Sequence, residues 1–462
     1  MARHGVTDRS ASHNGTRLAE RRQSDDSRQD HRRGASVKVL LGCIADDFTG
    51  ATDLANNLVR AGMRVVQVIG VPVRPLDTDA DAVVVTLKSR TAPRNEAVAQ
   101  SLDALKWLQA HGAQQIYFKY CSTFDSTAQG NIGPVTEALM AALATSESAG
   151  FTIATPAFPD NQRTVFNGHL FVGDVLLSES GMQNHPLTPM TDSNLVRVLQ
   201  AQCRRKVGLI DYKVVAKGEA AIRTRIGELQ DQGVSVAIVD AISNDDLLRL
   251  GPALKGMPLV TAASGVAIGL PANFGITPSS AAATLPKATG WQAALSGSCS
   301  PATNRQVQTF VQAGGRAFCM DPMQIAAGVD VAAQALSWAS PLLRRGQVLI
   351  YSTAEANAVK LIQAQLGVHR AGAMLENALA TVAQGLVELG VRQLVVAGGE
   401  TSGACVQALN ITQMKIGPQI DPGVPWCYAH AHVAPEVDLH LALKSGNFGA
   451  DDFFTKAFSL LA

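Results

Sequence analysis

The stretch "IADDFTGATDLANNL", residues 44 to 58, joins an apolar run to a helix-like run and sets two aspartates, a threonine and a glycine at the join. Ahead of it, "VKVLLGCIA" (37–45) reads as a buried strand. Behind it, the run from Thr49 to Met63 puts Leu54, Leu58 and Val59 on one helical face. A strand that feeds a helix is half of a βαβ unit, so this join predicts an α/β fold with parallel strands. One aspartate can cap the helix by accepting its orphan amide groups. A cap accounts for one carboxylate and leaves the other for a substrate contact or a proton transfer.

The same rhythm continues outward. "VVQVIG" (65–70), "DAVVVTL" (81–87), "QQIYFKYC" (114–121), "FTIATPAF" (151–158), "VGLIDYKVV" (207–215) and "GVSVAIVDA" (233–241) are further β-branched runs. Helical stretches such as "EAVAQSLDALKWLQAHG" (96–112) and "PVTEALMAALA" (134–144) lie between them. Residues 269–290, "GLPANFGITPSSAAATLPKATG", have the composition of a connection. A second series follows in "WQAALSG" (291–297), "RAFCMDP" (316–322), "QVLIYST" (347–353) and "QLVVAGG" (393–399), with helices at 301–314 and 376–390. The expectation is two α/β domains, 37–275 and 285–462, each a mainly parallel sheet flanked by helices, with the active site in the cleft between them. Residues 1–36 are polar and Arg-rich with no apolar block, which predicts a disordered tail rather than a signal peptide.

Composition narrows the class. A net charge of +1 gives no argument for a nucleic-acid or membrane partner, and no apolar run reaches the length of a membrane span. Seven cysteines are dispersed without a CxxC pair, as expected of reduced thiols in a cytoplasmic protein. There is no GxxxxGK[ST], strand-linked GxGxxG, HExxH or GxSxG. "YAHAHV" (428–433) sets His430 and His432 on one strand face, but no histidine spacing resembles a ligand set, and no metal centre is assigned.

Polar clusters fall where strands end, the edge at which doubly wound sheets bind ligands. Asp46, Asp47, Thr49 and Gly50 form the first, and Lys88, Ser89 and Arg90 in "LKSRT" the second. Arg90 suits bidentate carboxylate recognition, or simple solvation. The third is "FKYCSTFDSTAQGNIGP" (118–134), with Lys119, Ser122, Thr123, Asp125, Ser126, Thr127, Gly130 and Asn131. Its density of hydroxyls fits a hydroxylated anion, or an ST-turn with a cap. In the second series "LSGSCS" (295–300), "VVAGGETSGACVQAL" (395–409) and "LKSGNFGADDFF" (443–454) supply glycines that let amides approach phosphate. "ADDFF" itself reads as the cap and buried start of a last helix.

These motifs, with "HPLTPMTDSNL" (185–195), make the chain resemble the four-carbon acid sugar kinases, most closely their 3-oxo-tetronate branch, from residue 38 to 462. The resemblance implies transfer of the γ-phosphoryl group of ATP, with Mg²⁺, to the 4-hydroxyl of 3-oxo-tetronate. It implies an acid-sugar pocket around Asp46, Asp47, Ser89, Arg90, Lys119 and Asp125, with Ser126 and Thr127 beside them. Asp46, Asp47 or Asp125 would accept the hydroxyl proton. The nucleotide would meet Ser298 or Ser300, then Gly398, Gly399, Glu400, Thr401 and Gly446. Glu400 would hold Mg²⁺ or cap its helix. Threonate and erythronate kinases of the family carry K-x-D-S-T-x-R-G-N; here Lys119 stands six residues before Asp125, and Ala128 and Gln129 bring no arginine. The alternatives are a sister kinase of threonate or erythronate and a non-catalytic ligand-binding regulator. A homo-oligomer is left open.

Overall fold

The computed structural model describes residues 39–73, 76, 79–144, 150–185, 187–433 and 437–461. The tail expected at 1–36 lies outside these. The first join folds as read: strand β1 (Leu41–Ala45) runs into a helix, Phe48–Arg60. Further strands are β2 (Val65–Ile69), β3 (Ala82–Thr86), β4 (Gln115–Lys119), β5 (Thr152–Thr155), β6 (Arg163–Phe166), β7 (His169–Val172), β8 (Val175–Leu176), β9 (Lys206–Ile210), β10 (Val234–Val239) and β11 (Leu259–Ala262). The second series comprises β12 (Trp291–Ser296), β13 (Arg316–Cys319), β14 (Val348–Tyr351), β15 (Val391–Ala397), β16 (Gln413–Asp421), β17 (Val424–Ala431) and β18 (Val437–Lys444). The class is α/β, with mainly parallel pairing and flanking helices.

The two series share a single sheet of 15 strands, in the order β13-β14-β12-β15-β18-β17-β16-β2-β3-β1-β4-β11-β5-β10-β9; β6, β7 and β8 form a small second sheet. The seam is antiparallel, with Gln413, Met414 and Lys415 of β16 opposite Val68, Gln67 and Val66 of β2. The Phe48–Arg60 helix lies against this seam and is buried from Phe48 to Val59. It therefore has no solvent face. Its polar side chains bond across it: Asn56 donates to Gln419 Oε1 at 2.6 Å and Asn57 to Ser264 O at 3.0 Å.

Other expectations need correction. "DYKVV" does not extend β9; Asp211 caps a short helix, Tyr212–Val215, by accepting from Val214 N. That cap outweighs the β-preference of two valines. The 269–290 connection is mostly exposed, as its composition suggests, but is anchored at buried Ala282 and at Pro286 O, which accepts from His440 Nε2 at 3.0 Å. "ADDFF" buries Phe453 and Phe454 at the start of the Phe453–Ser459 helix, but Asp452 makes no side-chain cap bond. Asp451 pairs instead with Arg305. His430 faces Asp438 across the β17–β18 ladder, 2.6 Å apart. All seven cysteines are free thiols, and no helix among the described residues is long and apolar enough to cross a membrane.

Candidate active site

Parallel register sets the strand ends in rows. Ala45, Thr86 and Lys119 align across β3, β1 and β4, so the loops after them emerge together. Ser296, Ala397 and Lys444 align across β12, β15 and β18 in the same way. The first row opens on a cavity of about 180 Å³ lined by Asp47, Thr49, Gly50, Asp53, Lys119, Asp125 and Arg163, among others, and by Ser445, Asn447 and Phe448 from the end of β18. That is small beside the roughly 300–1,000 Å³ of pockets for drug-sized ligands, and suits a compact polar molecule.

The paired aspartates answer to one arginine. Arg90 donates bidentately to Asp46, from Nε at 2.9 Å and Nη2 at 2.8 Å, and its Nη2 also reaches Asp47 Oδ1 at 2.8 Å. Asp47 is the helix cap as well, accepting from Gly50 N at 2.9 Å and Thr49 Oγ1 at 3.0 Å. Burial opposes ionisation of Asp47, yet Arg90, Lys119 and these two donors hold it below the usual carboxylate range. Asp125 Oδ1 accepts from Thr123 Oγ1 at 2.8 Å, and its Oδ2 lies 3.7 Å from Arg90 Nη1. Phe124 and Asp125 both take positive φ, 64° and 45°, a conformation side chains of this size rarely adopt.

Two cations face the cavity without an ion-pair partner among the described residues. Lys119 is 1 % exposed and donates to Tyr120 O at 2.7 Å. Arg163 donates to Asn161 O, stacks over the Phe448 ring at 5.9 Å and leaves its buried Nε without an acceptor. Arg90 lines the cavity too, but its Nε and Nη2 are taken by Asp46 and Asp47.

Not every residue read from the sequence lines this cavity. Asp46, Ser89 and Ser126 border a void of about 10 Å³ behind Arg90. Ser126 Oγ accepts from Gln202 Nε2, and Thr127 O does likewise, which pins their loop. Asn131 Nδ2 donates to the carbonyls of Ser89, Arg90 and Ala92 and fixes "LKSRT" from behind. Cys121 reaches the cavity, but burial pushes its thiol up to about 12, which excludes a thiolate nucleophile near neutrality.

Sequence reasoning missed Asp53 and Arg163. Asp53 lies one turn beyond Thr49, on a helix that looked half-exposed. Its Oδ2 accepts from Ser264 Oγ at 2.5 Å, while its buried Oδ1 has no partner. Arg163 opens β6, a strand with no distinctive pattern.

The second row brings its motifs together. Ser300 caps the helix Pro301–Gln312 by accepting from Thr303 N, and Gly446 O accepts from both Ser300 Oγ and Thr303 Oγ1. A Cβ at Gly446 would stand 2.5 Å from Ser298 Oγ. Gly398 has φ +121° and precedes the helix Gly399–Ala408, where a Cβ would meet Thr401 Oγ1 at 3.0 Å and Ser298 N at 3.2 Å. Lys444 Nζ ties the loop inward, donating to Thr303 Oγ1 and to the carbonyls of Ser445, Gly446 and Phe448. Bare amides and small hydroxyls thus line this edge, the surface a phosphate chain needs. Glu400 is more than half exposed and pairs with Lys88 at 2.7 Å, which joins the two rows. A Cβ at Gly399 would lie 3.9 Å from Thr49 Oγ1.

Residues 41–270 match the family description of a sugar-binding N-terminal domain, and residues 293–454 that of a nucleotide-binding C-terminal domain. A 3-oxo-tetronate kinase of Pseudomonas fluorescens is 57 % identical over 433 residues, 93 % of this chain and 98 % of that protein. The chain belongs to the four-carbon acid sugar kinase family. Within that family a Burkholderia multivorans 3-oxo-tetronate kinase is also 57 % identical, over 92 % of this chain and 98 % of its own. The crystal structure of Haemophilus influenzae protein HI1011 superimposes with a TM-score of 0.72 at 46 % identity, covering 91 % of this chain and 100 % of that one. Most of the cavity's lining falls in the region matched as sugar-binding, and the glycine-rich edge falls in the region matched as nucleotide-binding.

Proposed function

We propose that this protein is an ATP-dependent kinase that phosphorylates the 4-hydroxyl of 3-oxo-tetronate, giving 3-oxo-tetronate 4-phosphate and ADP. The observation that carries this is one cavity walled both by sugar-side residues (Asp47, Lys119, Asp125, Arg163) and by Ser445, Asn447 and Phe448 of the nucleotide side. On this reading the acid-sugar region, 37–275, and the ATP region, 285–462, both wall the cavity, which would hold hydroxyl and γ-phosphate in line and away from water.

Lys119 and Arg163, without ion-pair partners among the described residues, are the first cations for the substrate carboxylate; Arg90, with Nε and Nη2 on Asp46 and Asp47, has only Nη1 to offer beside them. Ser298, Ser300, Gly398, Gly399, Thr401 and Gly446 receive the phosphates through backbone amides and hydroxyls. The site suits Mg²⁺, which keeps most of its waters and takes one or two carboxylates besides substrate phosphates. Glu400, exposed in the first turn of its helix and paired with Lys88, is the acid that would hold it. Bound there, Mg²⁺ would neutralise phosphate charge. A cytoplasmic setting, with ATP present and thiols reduced, goes with this reading.

The test is Mg²⁺-dependent ADP release with 3-oxo-tetronate, threonate and erythronate offered separately. Turnover confined to 3-oxo-tetronate is the expected result. Preference for threonate or erythronate would overturn the substrate, and silence with all three would overturn the kinase reading.

A further inference from the structure

Three carboxylates read from the sequence are committed elsewhere. Asp46 gives both oxygens to Arg90. Asp47 is divided among Gly50 N, Thr49 Oγ1 and Arg90, and Asp125 between Thr123 and Arg90. The partners of Asp47 hold its carboxyl below the usual range, which makes it a weak proton acceptor; burial raises that of Asp46, but it borders the small void behind Arg90 and does not line the main cavity.

Asp53 is different. It lines the same cavity, is 3 % exposed, and has one oxygen held by Ser264 Oγ at 2.5 Å. The other oxygen, Oδ1, is buried without a donor. Native structures rarely leave a buried acceptor unsatisfied, and such a gap at a cavity wall is where a ligand supplies the missing hydrogen. The ligand that this cavity is read to hold carries a hydroxyl proton that must leave.

Resting on the kinase reading above, we propose that Asp53 accepts the proton of the attacking sugar hydroxyl, with Ser264 as the positioning residue that fixes its carboxylate. In the step, the O–H bond of the hydroxyl breaks and its proton goes to Asp53. The oxygen's electron pair forms the new bond to the γ-phosphorus, and the bond from that phosphorus to the bridging oxygen breaks to release ADP. Asp53 returns its proton to solvent when the products leave.

The electrostatics suit that task. Burial pushes Asp53 up to about 7, against the pull of Lys119, the Ser264 hydroxyl and Arg163, while Asp47 adds to the rise. Tyr117, on β4, faces Asp53 too, but burial drives its own ionisation far upward, so it stays neutral. A base with a pKa near the working pH takes a proton and gives it up with comparable ease.

The experiment is the pH profile of kcat/KM, with kcat, for the wild type, Asp53→Asn, Ser264→Ala and Asp47→Asn, alongside melting temperatures. The wild type should lose activity below about pH 7. Asp53→Asn should lower kcat by about 100-fold or more, with KM little changed, and abolish that acid limb. Ser264→Ala should keep measurable turnover but shift the limb to higher pH, since the lost hydrogen bond had stabilised the carboxylate; a purely structural serine would not move it. Full activity in Asp53→Asn, or a limb that survives there and vanishes in Asp47→Asn, would overturn the proposal. Should Asp53→Asn fail to fold, an unshifted limb in Ser264→Ala would overturn it instead. A wild type with no ADP release for any acid sugar would sink the kinase reading, a separate outcome.

Discussion

Asp46 and Asp47, adjacent in sequence, have different partners and so different consequences when changed. Asp46 meets Arg90 through two charged hydrogen bonds in a buried setting. Asp46→Asn breaks that pairing and leaves Arg90 with Asp47 and a distant Asp125. A loss of about 3 kcal/mol of unfolding free energy is expected, measurable as a lower urea midpoint. Asp47 is held below the ordinary carboxylate range, so it contributes stability above that range and loses it as the pH falls through its lower folded value. The gap in stability between wild type and Asp47→Asn should be widest near neutral pH and close on acidification below about pH 4. Asp53 carries the opposite shift. Between the ordinary carboxylate range and about pH 7 its stabilising contribution falls as the pH rises, because the unfolded chain ionises first. The aspartate pair was legible because two acids exceeded what a cap requires. Asp53 was not, because an aspartate on a helix ordinarily faces water.

At the scale of elements, the glycine-rich turns after β12, β15 and β18 were legible as motifs, and their convergence follows from neighbouring parallel strands. Gly398 is the point at which backbone and motif coincide, since φ +121° is closed to other residues without strain. Gly398→Ala adds about 1–2 kcal/mol of strain. About a tenfold rise in KM for ATP should follow, with KM for the acid sugar unchanged. Lys444 holds the loop that follows it, and burial pulls its ammonium down to about 7 although four oxygens surround it. Lys444→Met removes four hydrogen bonds, but its three carbonyls keep Phe448 N, the Ser300 and Thr303 hydroxyls and Gln306 Nε2 as donors, so it should cost roughly 1–2 kcal/mol and show as a lower melting temperature. The strand β16 and the first half of β17 escaped sequence reading for a plain reason. Gly417 and Pro418 interrupt β16 and Pro425 sits in β17, and such residues ordinarily demote a run from strand. The register shift between Ile416 and Gln419 shows how the ladder accommodates them.

Over the whole molecule, the β16–β2 seam and the buried Phe48–Arg60 helix fuse the two series into one sheet and a largely shared core. The two halves should therefore unfold together. Urea transitions followed by circular dichroism, by Trp fluorescence and by loss of nucleotide binding are expected to coincide; two separated transitions would show independent halves. The Lys88–Glu400 pair is more than half exposed on both sides and contributes at most about 1 kcal/mol, so it does not hold the halves together. Twist explains how the two rows of strand ends share a cavity. β2 runs against β16, so in a flat sheet the carboxyl ends of the two series would lie at opposite edges. Five pairings separate β18 from β1, and at roughly 20–25° each they turn one set of ends toward the other.

By itself the sequence determined the α/β class, the two series of strands, the motifs at their ends and the resemblance to acid sugar kinases. These rest on local periodicity and on residues close together in the chain. Tertiary structure alone decided that Arg90 is neutralised by Asp46 and Asp47, that Lys119 and Arg163 have no ion-pair partner among the described residues, and that Asp53 is buried with one oxygen unpartnered. Burial and charge pairing depend on residues hundreds of positions apart: Asp53 on Ser264, the Phe48–Arg60 helix on β16, and the sugar cavity on Phe448. Local pattern cannot register such neighbours, because it is the twist and closure of the sheet that bring them within reach.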